Sequence, residues 1–177
     1  MKASTSPPGI ILGGGAGTTT PTGYALNNTD NSVQGGISLG TITGLRHNSG
    51  ISFISGGGDI SLKGQHSSTY NGDSAGISAY EGFIFDAGKT GNITLVGDVN
   101  GSNTSYSDGI NLGNWAVTSG TTASYITTVD GNISLTGTSS SGSTQSRGVL
   151  LAGGDAGIFV QSIGTGNINI TGTPGLS

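Results

Sequence analysis

One short box keeps returning along this chain: glycine, Asn or Asp, Ile, a small polar residue, Leu or Ile, any residue, glycine. Good copies are Gly58-Asp59-Ile60-Ser61-Leu62-Lys63-Gly64, Gly91-Asn92-Ile93-Thr94-Leu95-Val96-Gly97, Gly131-Asn132-Ile133-Ser134-Leu135-Thr136-Gly137 and Gly166-Asn167-Ile168-Asn169-Ile170-Thr171-Gly172. A degenerate fifth copy reads Gly35-Gly36-Ile37-Ser38-Leu39-Gly40-Thr41. Box-to-box spacings of 23, 33, 40 and 35 residues predict loops of variable length between fixed units. Within a box the apolar residues stand two apart around a polar one, the period of a strand with one buried and one solvated face. The leading Gly-Asn or Gly-Asp suits a tight bend, since both residue types tolerate positive φ, and the closing glycine punctuates the other end.

Between boxes a second glycine-led strand is predicted at Gly23-Tyr24-Ala25-Leu26, Gly76-Ile77-Ser78-Ala79, Gly109-Ile110-Asn111-Leu112 and Gly148-Val149-Leu150-Leu151, with a weaker copy at Gly44-Leu45-Arg46. A third apolar segment precedes each box, at 51–54, 83–85, 125–129 and 158–163. A five-residue strand with one apolar face cannot bury itself, but identical strands stacked about 4.8 Å apart create a continuous sheet and core. The expectation is an all-β, right-handed parallel β-helix, a solenoid of about five coils with three short strands per coil and variable loops. Residues 1–22 would form an N-terminal extension or partial first coil, 23–172 the repeats and 173–177 a tail. Stacking would align Ile37, Ile60, Ile93, Ile133 and Ile168 in one internal column, with Leu39, Leu62, Leu95, Leu135 and Ile170 in another. Asp59, Asn92, Asn132 and Asn167 would superpose at the bend as a hydrogen-bonded ladder, with Asp59 marking a ladder end. Ser38, Ser61, Thr94, Ser134 and Asn169 would form an outward polar row. Helices are not expected, because no window holds apolar residues at three and four spacing and 36 glycines oppose them.

Composition narrows the function classes. Only 32% of the 177 residues are hydrophobic, too few for a conventional globular core. Charged residues make up 8% and the net charge is −4, which disfavours nucleic acid and acidic lipid as partners. The absence of cysteine removes disulfides and thiolate metal sites. Met1 to Pro8 does not read as a secretory signal, and no segment approaches the roughly 20 apolar residues of a membrane span. The sequence therefore reads as a piece of a longer exported chain, without membrane insertion.

The Gly-Asn-Ile-Ser/Thr-Leu-Thr-Gly boxes, the glycine-led second strands and the Ser/Thr/Gly-rich spacers, together spanning residues 23 to 172, resemble filamentous-haemagglutinin-like proteins. These include the adhesins of two-partner secretion and the β-strand-repeat surface proteins of bacteria. The resemblance implies a secreted right-handed β-helix, display at a bacterial cell surface, and a structural or adhesive role in filaments or biofilm, with a host or matrix glycan or protein as receptor. The amino-terminal secretion domain of that family is not recognisable here.

The rival function is a carbohydrate-binding or polysaccharide-cleaving β-helix, which would cluster carboxylates with basic residues on an exposed face. Candidates are Asp73, Glu81, Asp86, Asp98, Asp108 and Arg147. None of them is expected at matched repeat positions, so no catalytic site is predicted and the chain is read as non-enzymatic. His47 and His66 lack metal-ligand spacing and are expected at the surface; no metal or cofactor is predicted. Glycine–aspartate calcium repeats are missing, and Lys63, Gln65, Val96 and Asp98 interrupt the Thr-X-Thr array an ice-binding face would need. The sequons at Asn27, Asn92, Asn103, Asn132 and Asn169 follow from box composition. Tyr70, Tyr80, Tyr106, Trp115 and Tyr125 would contact a glycan if the surface binds one, or else cover the sides of the coil. Uncapped ends would let strand edges pair between molecules, giving end-to-end self-association.

Overall fold

The structure is a computed structural model that describes residues 11–13, 22–26, 34–39, 41–43, 46–48, 51–67, 74–80, 82–100, 106–113, 122–140 and 145–175. Strands follow one another without a helix among these residues. The first coil is β1 (Ile11–Gly13), β2 (Thr22–Leu26) and β3 (Gln34–Leu39), after which β4 (Thr41–Thr43) and β5 (Arg46–Asn48) form an antiparallel hairpin. The second coil is β6 (Ser52–Ile54), β7 (Ile60–Ser67) and β8 (Ser74–Ala79); the third is β9 (Ile84–Asp86), β10 (Ile93–Asn100) and β11 (Tyr106–Gly113). The fourth is β12 (Ser124–Thr128), β13 (Ile133–Thr138) and β14 (Gln145–Ala152), and β15 (Ile158–Ser162) with β16 (Ile168–Thr173) begins a fifth.

With the β4–β5 hairpin set aside, each strand pairs in parallel with the strand three places before it. The first sheet runs β1-β6-β9-β12-β15, the second β2-β7-β10-β13-β16 and the third β3-β8-β11-β14. The chain is a right-handed parallel β-helix. The four good boxes form the second sheet in one register: Ile60, Ile93, Ile133 and Ile168 align, as do Leu62, Leu95, Leu135 and Ile170. Along β10 burial alternates without exception from Ile93 to Val99. Ile60, Leu62, Ile93, Leu95, Ile133 and Leu135 are all fully buried, each contributing roughly 1.5–3 kcal/mol of transfer free energy. Their outward neighbours Ser61, Thr94 and Ser134 are half-buried and Asn169 is exposed, completing a polar row. Ile77, Ile110 and Val149 fill the core from the third sheet, and Phe53, Phe85, Ile126 and Val160 from the first. Phe85 lies 5.3 Å from Phe53 and 5.2 Å from Phe83 between ring centroids, an aromatic cluster inside the coil.

The first coil departs from the sequence reading. Ile37 and Leu39 do not head the box columns; β3 pairs with β8, setting Ile37 against Ile77 and Leu39 against Ala79 in the third sheet. Ser38 accordingly joins Ser78 and leaves the box row. Gly23-Tyr24-Ala25-Leu26, read as a second strand, lies instead in the box sheet, with Gly23 against Gly64 and Ala25 against His66. Arg46 of the weaker Gly44-Leu45-Arg46 copy lies in the hairpin, against Thr43. The cause is local mimicry: Gly36-Ile37-Ser38-Leu39 fits the box core and also matches Gly76-Ile77-Ser78-Ala79, its actual partner.

Box glycines serve close approach. Among the described residues positive φ occurs at Gly56, Gly57, Gly82, Gly88, Gly113 and Gly157, and at no described box glycine and no other residue type. A Cβ on Gly97 would lie 2.0 Å from the carbonyl oxygen of Gly109, because the second and third sheets meet backbone to backbone there. Gly64 faces Gly76, and Gly137 faces Gly148, in the same way. A Cβ on the leading Gly131 would lie 1.9 Å from the Gly91 oxygen one coil below. In the third and fourth coils the box is thus bounded by two positions where only glycine fits.

Candidate functional site

At the bend entering the second sheet, the Asn backbone and side chain both bond along the axis. Asn92 donates from its backbone N and its Nδ2 to Asp59 Oδ1, at 2.8 and 3.0 Å. Asn132 does the same to Asn92 Oδ1 at 2.9 and 3.2 Å, and Asn167 to Asn132 Oδ1 at 2.9 and 3.4 Å. The carbonyls of Asn92, Asn132 and Asn167 accept from the N–H of Ile60, Ile93 and Ile133 in the coil below, each at 2.8 Å. All side-chain amides therefore point one way, and Asp59, which has no amide to donate, sits where the described ladder starts. Under this bend runs a hydroxyl column the sequence reading did not single out. Thr128 Oγ1 donates to the Gly91 oxygen at 2.8 Å, and Ser162 Oγ to the Gly131 oxygen at 3.0 Å.

The outward face of the third sheet gathers three of the sequence candidates. Asp108, almost fully buried, accepts a two-pronged contact from Arg147, Nε to Oδ1 at 2.6 Å and Nη2 to Oδ2 at 2.9 Å. Asn111 Nδ2 adds a bond to Asp108 Oδ2 at 2.6 Å, Gln145 Oε1 accepts from Arg147 Nη1 at 3.3 Å, and the guanidinium lies 5.7 Å from the Tyr106 ring centroid. Asp108 and Arg147 are register partners on β11 and β14, so the expectation that no charged candidates share a repeat position is corrected. The signal was present as Ser74-Ala75-Gly76, Ser107-Asp108-Gly109 and Ser146-Arg147-Gly148, a Ser-X-Gly entry to each second strand. Two of those serines join the residues that follow β13 in a hydroxyl cluster: Ser107 Oγ and Ser140 Oγ, both buried, are 2.9 Å apart, and Ser146 bonds Ser139. Chemically the ion pair commits the Asp108 carboxylate to two donors, which suits a tie between coils better than proton transfer.

The other candidates are dispersed. Asp86 Oδ1 accepts from Gly88 N at 2.8 Å and fixes a turn, and Asp98 Oδ2 accepts from Asn100 Nδ2 at 2.6 Å. Asp73, Glu81, Tyr70 and Trp115 lie outside the described residues. Tyr80 follows β8 and donates its backbone N to Leu39 O, while Tyr125 lies on the first sheet, so the described aromatics are spread over different sheets. Tyr125 stacks on Phe159 at 5.3 Å and 16°, each ring covering one face of the other. Of the sequons, Asn92 and Asn132 are committed to the ladder and Asn169 is exposed on β16; Asn27 and Asn103 lie outside the described residues.

His47 lies on β5, in register with Ile42. His66 is corrected from surface to core. It is fully buried on the inward row of β7, and neither ring nitrogen has a hydrogen-bond partner. Burial pushes its pKa below the ordinary histidine value.

At the last coil the column residues Ile168 and Ile170 are each 46% exposed, where their counterparts one coil below are fully buried. A hollow of about 420 Å³ opens there, lined by Val160, Gln161, Ser162, Ile163 and Ile168.

Compared with protein-family models, curated proteins and solved structures, the chain matches none.

Proposed function

We propose that this chain is a structural or adhesive β-helix segment of a large bacterial surface or secreted protein, non-catalytic, holding a surface or receptor-binding region at a distance through stacked coils. The observation that carries this reading is the axial continuity of the box: one register through four strands of the second sheet, tied by the Asp59-Asn92-Asn132-Asn167 ladder. A rod needs bonds along its axis, and this sequence invests its repeated residues there.

End-to-end self-association belongs to the same proposal. Parallel stacking is directional, so the edge of the last coil is complementary in kind to the edge of the first. Exposed Ile168 and Ile170 and the Asn167 side-chain oxygen suit a further coil, whether the next coil of a longer parent chain or the first coil of a second copy, which would find there its core and its ladder acceptor. Sedimentation velocity across a wide concentration range tests it, with electron microscopy of the heavier species. Linear oligomers lost on Ile168→Asp/Ile170→Asp substitution are expected; monomer at every concentration would overturn self-association.

The alternative, a carbohydrate-binding or polysaccharide-cleaving β-helix, draws on Tyr106 beside Asp108 and Arg147. Incubation with a panel of acidic and neutral polysaccharides separates the two. Saturable binding or cleavage abolished by Arg147→Ala, in a variant that keeps its β circular dichroism, would favour the alternative.

A further inference from the structure

We propose that His66 makes the second coil an acid-sensitive joint, at which β7 parts from β10 and β8 when the imidazole takes up a proton.

The argument begins with position. His66 follows Ile60, Leu62 and Gly64 on the inward row of β7, and its register partners are Ala25 on β2 and Val99 on β10. Val99 is 2% exposed and His66 fully buried, so the repeat places an imidazole where the next coil holds an aliphatic side chain. Nδ1 and Nε2 both lack a hydrogen-bond partner. A neutral ring in that state already leaves its polar nitrogens both desolvated and unpaired, which disfavours the closed coil. An imidazolium there would be a buried charge with two unsatisfied donors, a much larger cost.

Nothing described nearby offsets that charge. Of the strands packed on β7, β3 and β8 carry no titratable or charged residue. On β10 the one charged residue is Asp98, which is in register with Gln65 on the opposite face and accepts from Asn100. On β2 the one titratable residue is Tyr24, also in register with Gln65. Lys63 of β7 itself is exposed on the outward face. Burial is accordingly the cause that lowers the His66 pKa.

The sign follows from linkage. The unfolded or opened coil titrates near the ordinary value of about 6.5, and the closed coil lower. Stability is therefore fully present above about pH 6.5 and is lost as pH falls from there toward the closed-state pKa. One proton is involved, so the open-to-closed ratio rises by up to about tenfold per pH unit within that window. His66 lies near the end of β7, ahead of the connection to β8, so the opening is local to Gly64–Ser67 and the facing Val99–Asn100.

Hydrogen exchange of the full chain between pH 7.5 and 5, corrected for intrinsic exchange rates, reads this directly. Protection of the amides at Gly64–Ser67 and Val99–Asn100 is expected to fall up to about tenfold per pH unit below about 6.5, while β13 and β16 keep theirs. His66→Val, which copies Val99, is expected to flatten the dependence, and His47→Gln to leave it unchanged. The same pH dependence in His66→Val overturns the proposal. A second readout needs no variant: an NMR titration in which His66 protonates in the folded chain at or above pH 6.5, with β7 protection intact, also overturns it.

Discussion

Adding one carbon at Gly97 tests how tightly the coil is closed. In Gly97→Ala the new Cβ would sit 2.0 Å from the Gly109 oxygen, 2.7 Å from the Gly109 carbonyl carbon and 2.8 Å from Ile110 Cγ1. Ordinary contact begins at 3.4 Å, so the two sheets must part by about 1.4 Å. Gly109 cannot retreat freely, because its strand is bonded to β8 on one side and β14 on the other. Overpacking alone costs typically about 1–3 kcal/mol, and each backbone bond lost in the retreat adds roughly 1 kcal/mol. The expected loss is about 3–5 kcal/mol. The same box position in the last coil supplies the control. In Gly172→Ala the nearest atom is 3.1 Å away, a shortfall of a few tenths of an ångström on an exposed strand. The alanine also restricts the unfolded chain, worth about 0.4–1 kcal/mol in the other direction. The net change there should stay within about 1 kcal/mol of zero. Urea unfolding followed by circular dichroism separates the two. With a slope of about 1–3 kcal/mol/M, Gly97→Ala should lower the midpoint by roughly 1 M or more and Gly172→Ala by a few tenths. Equal midpoints for the two variants would refute the claim that the closing glycine is required by backbone contact between sheets.

Three further outcomes follow from the same structure. Leu95→Ala empties a fully buried site and should cost about 3–5 kcal/mol, against about 1 kcal/mol for Ile170→Ala at a half-exposed site, both read from unfolding midpoints. Asn132→Ala removes the Nδ2 donor to Asn92 and the side-chain oxygen that accepts from Asn167, a loss of about 1–2 kcal/mol, with faster exchange of the Asn167 backbone amide as its signature, since the backbone N–H at 132 keeps its bond to Asn92. Arg147→Ala strips the buried Asp108 carboxylate of its two-pronged partner and should destabilise by about 2–3 kcal/mol, whereas Arg147→Ala/Asp108→Ala together should recover part of that loss in a double-mutant cycle.

Much of the coil was legible because its physics is repetitive. Apolar residues at period two, bounded by glycines six apart, place the strands at 60, 93, 133 and 168, and stacking then dictates the Ile and Leu columns and the amide ladder. The first coil was misread because a short strand carries little information: Ile37-Ser38-Leu39 satisfies the pattern of two different sheets. Glycine spacing carried a partial signal. Gly17 stands six residues before Gly23, matching the box interval, whereas the degenerate box at Gly35 lies only 23 residues before Gly58. The purpose of the glycines was not legible, since a residue without a side chain looks the same whether it serves a turn or a close approach. The Asp108–Arg147 tie was visible only by aligning the Ser-X-Gly entries, and the burial of His66 only by carrying the box's alternation two residues past Gly64. Both lie beyond the box, where the repeat is read less readily but still sets the inward face.

The in-register stack itself is open to a direct measurement, because the chain contains no cysteine. Thr94 and Ser134 are register partners on adjacent coils, with side chains on the outward face of the second sheet. Neighbouring strands lie about 4.8 Å apart, inside the Cα separation that a disulfide spans. Under mild oxidation the doubly substituted Thr94→Cys/Ser134→Cys chain should close an intramolecular disulfide nearly completely, and Thr94→Cys/Thr138→Cys, four residues out of register, should not. Equal closure of both pairs, or of neither, would contradict the parallel, in-register solenoid on which the rest of the account stands.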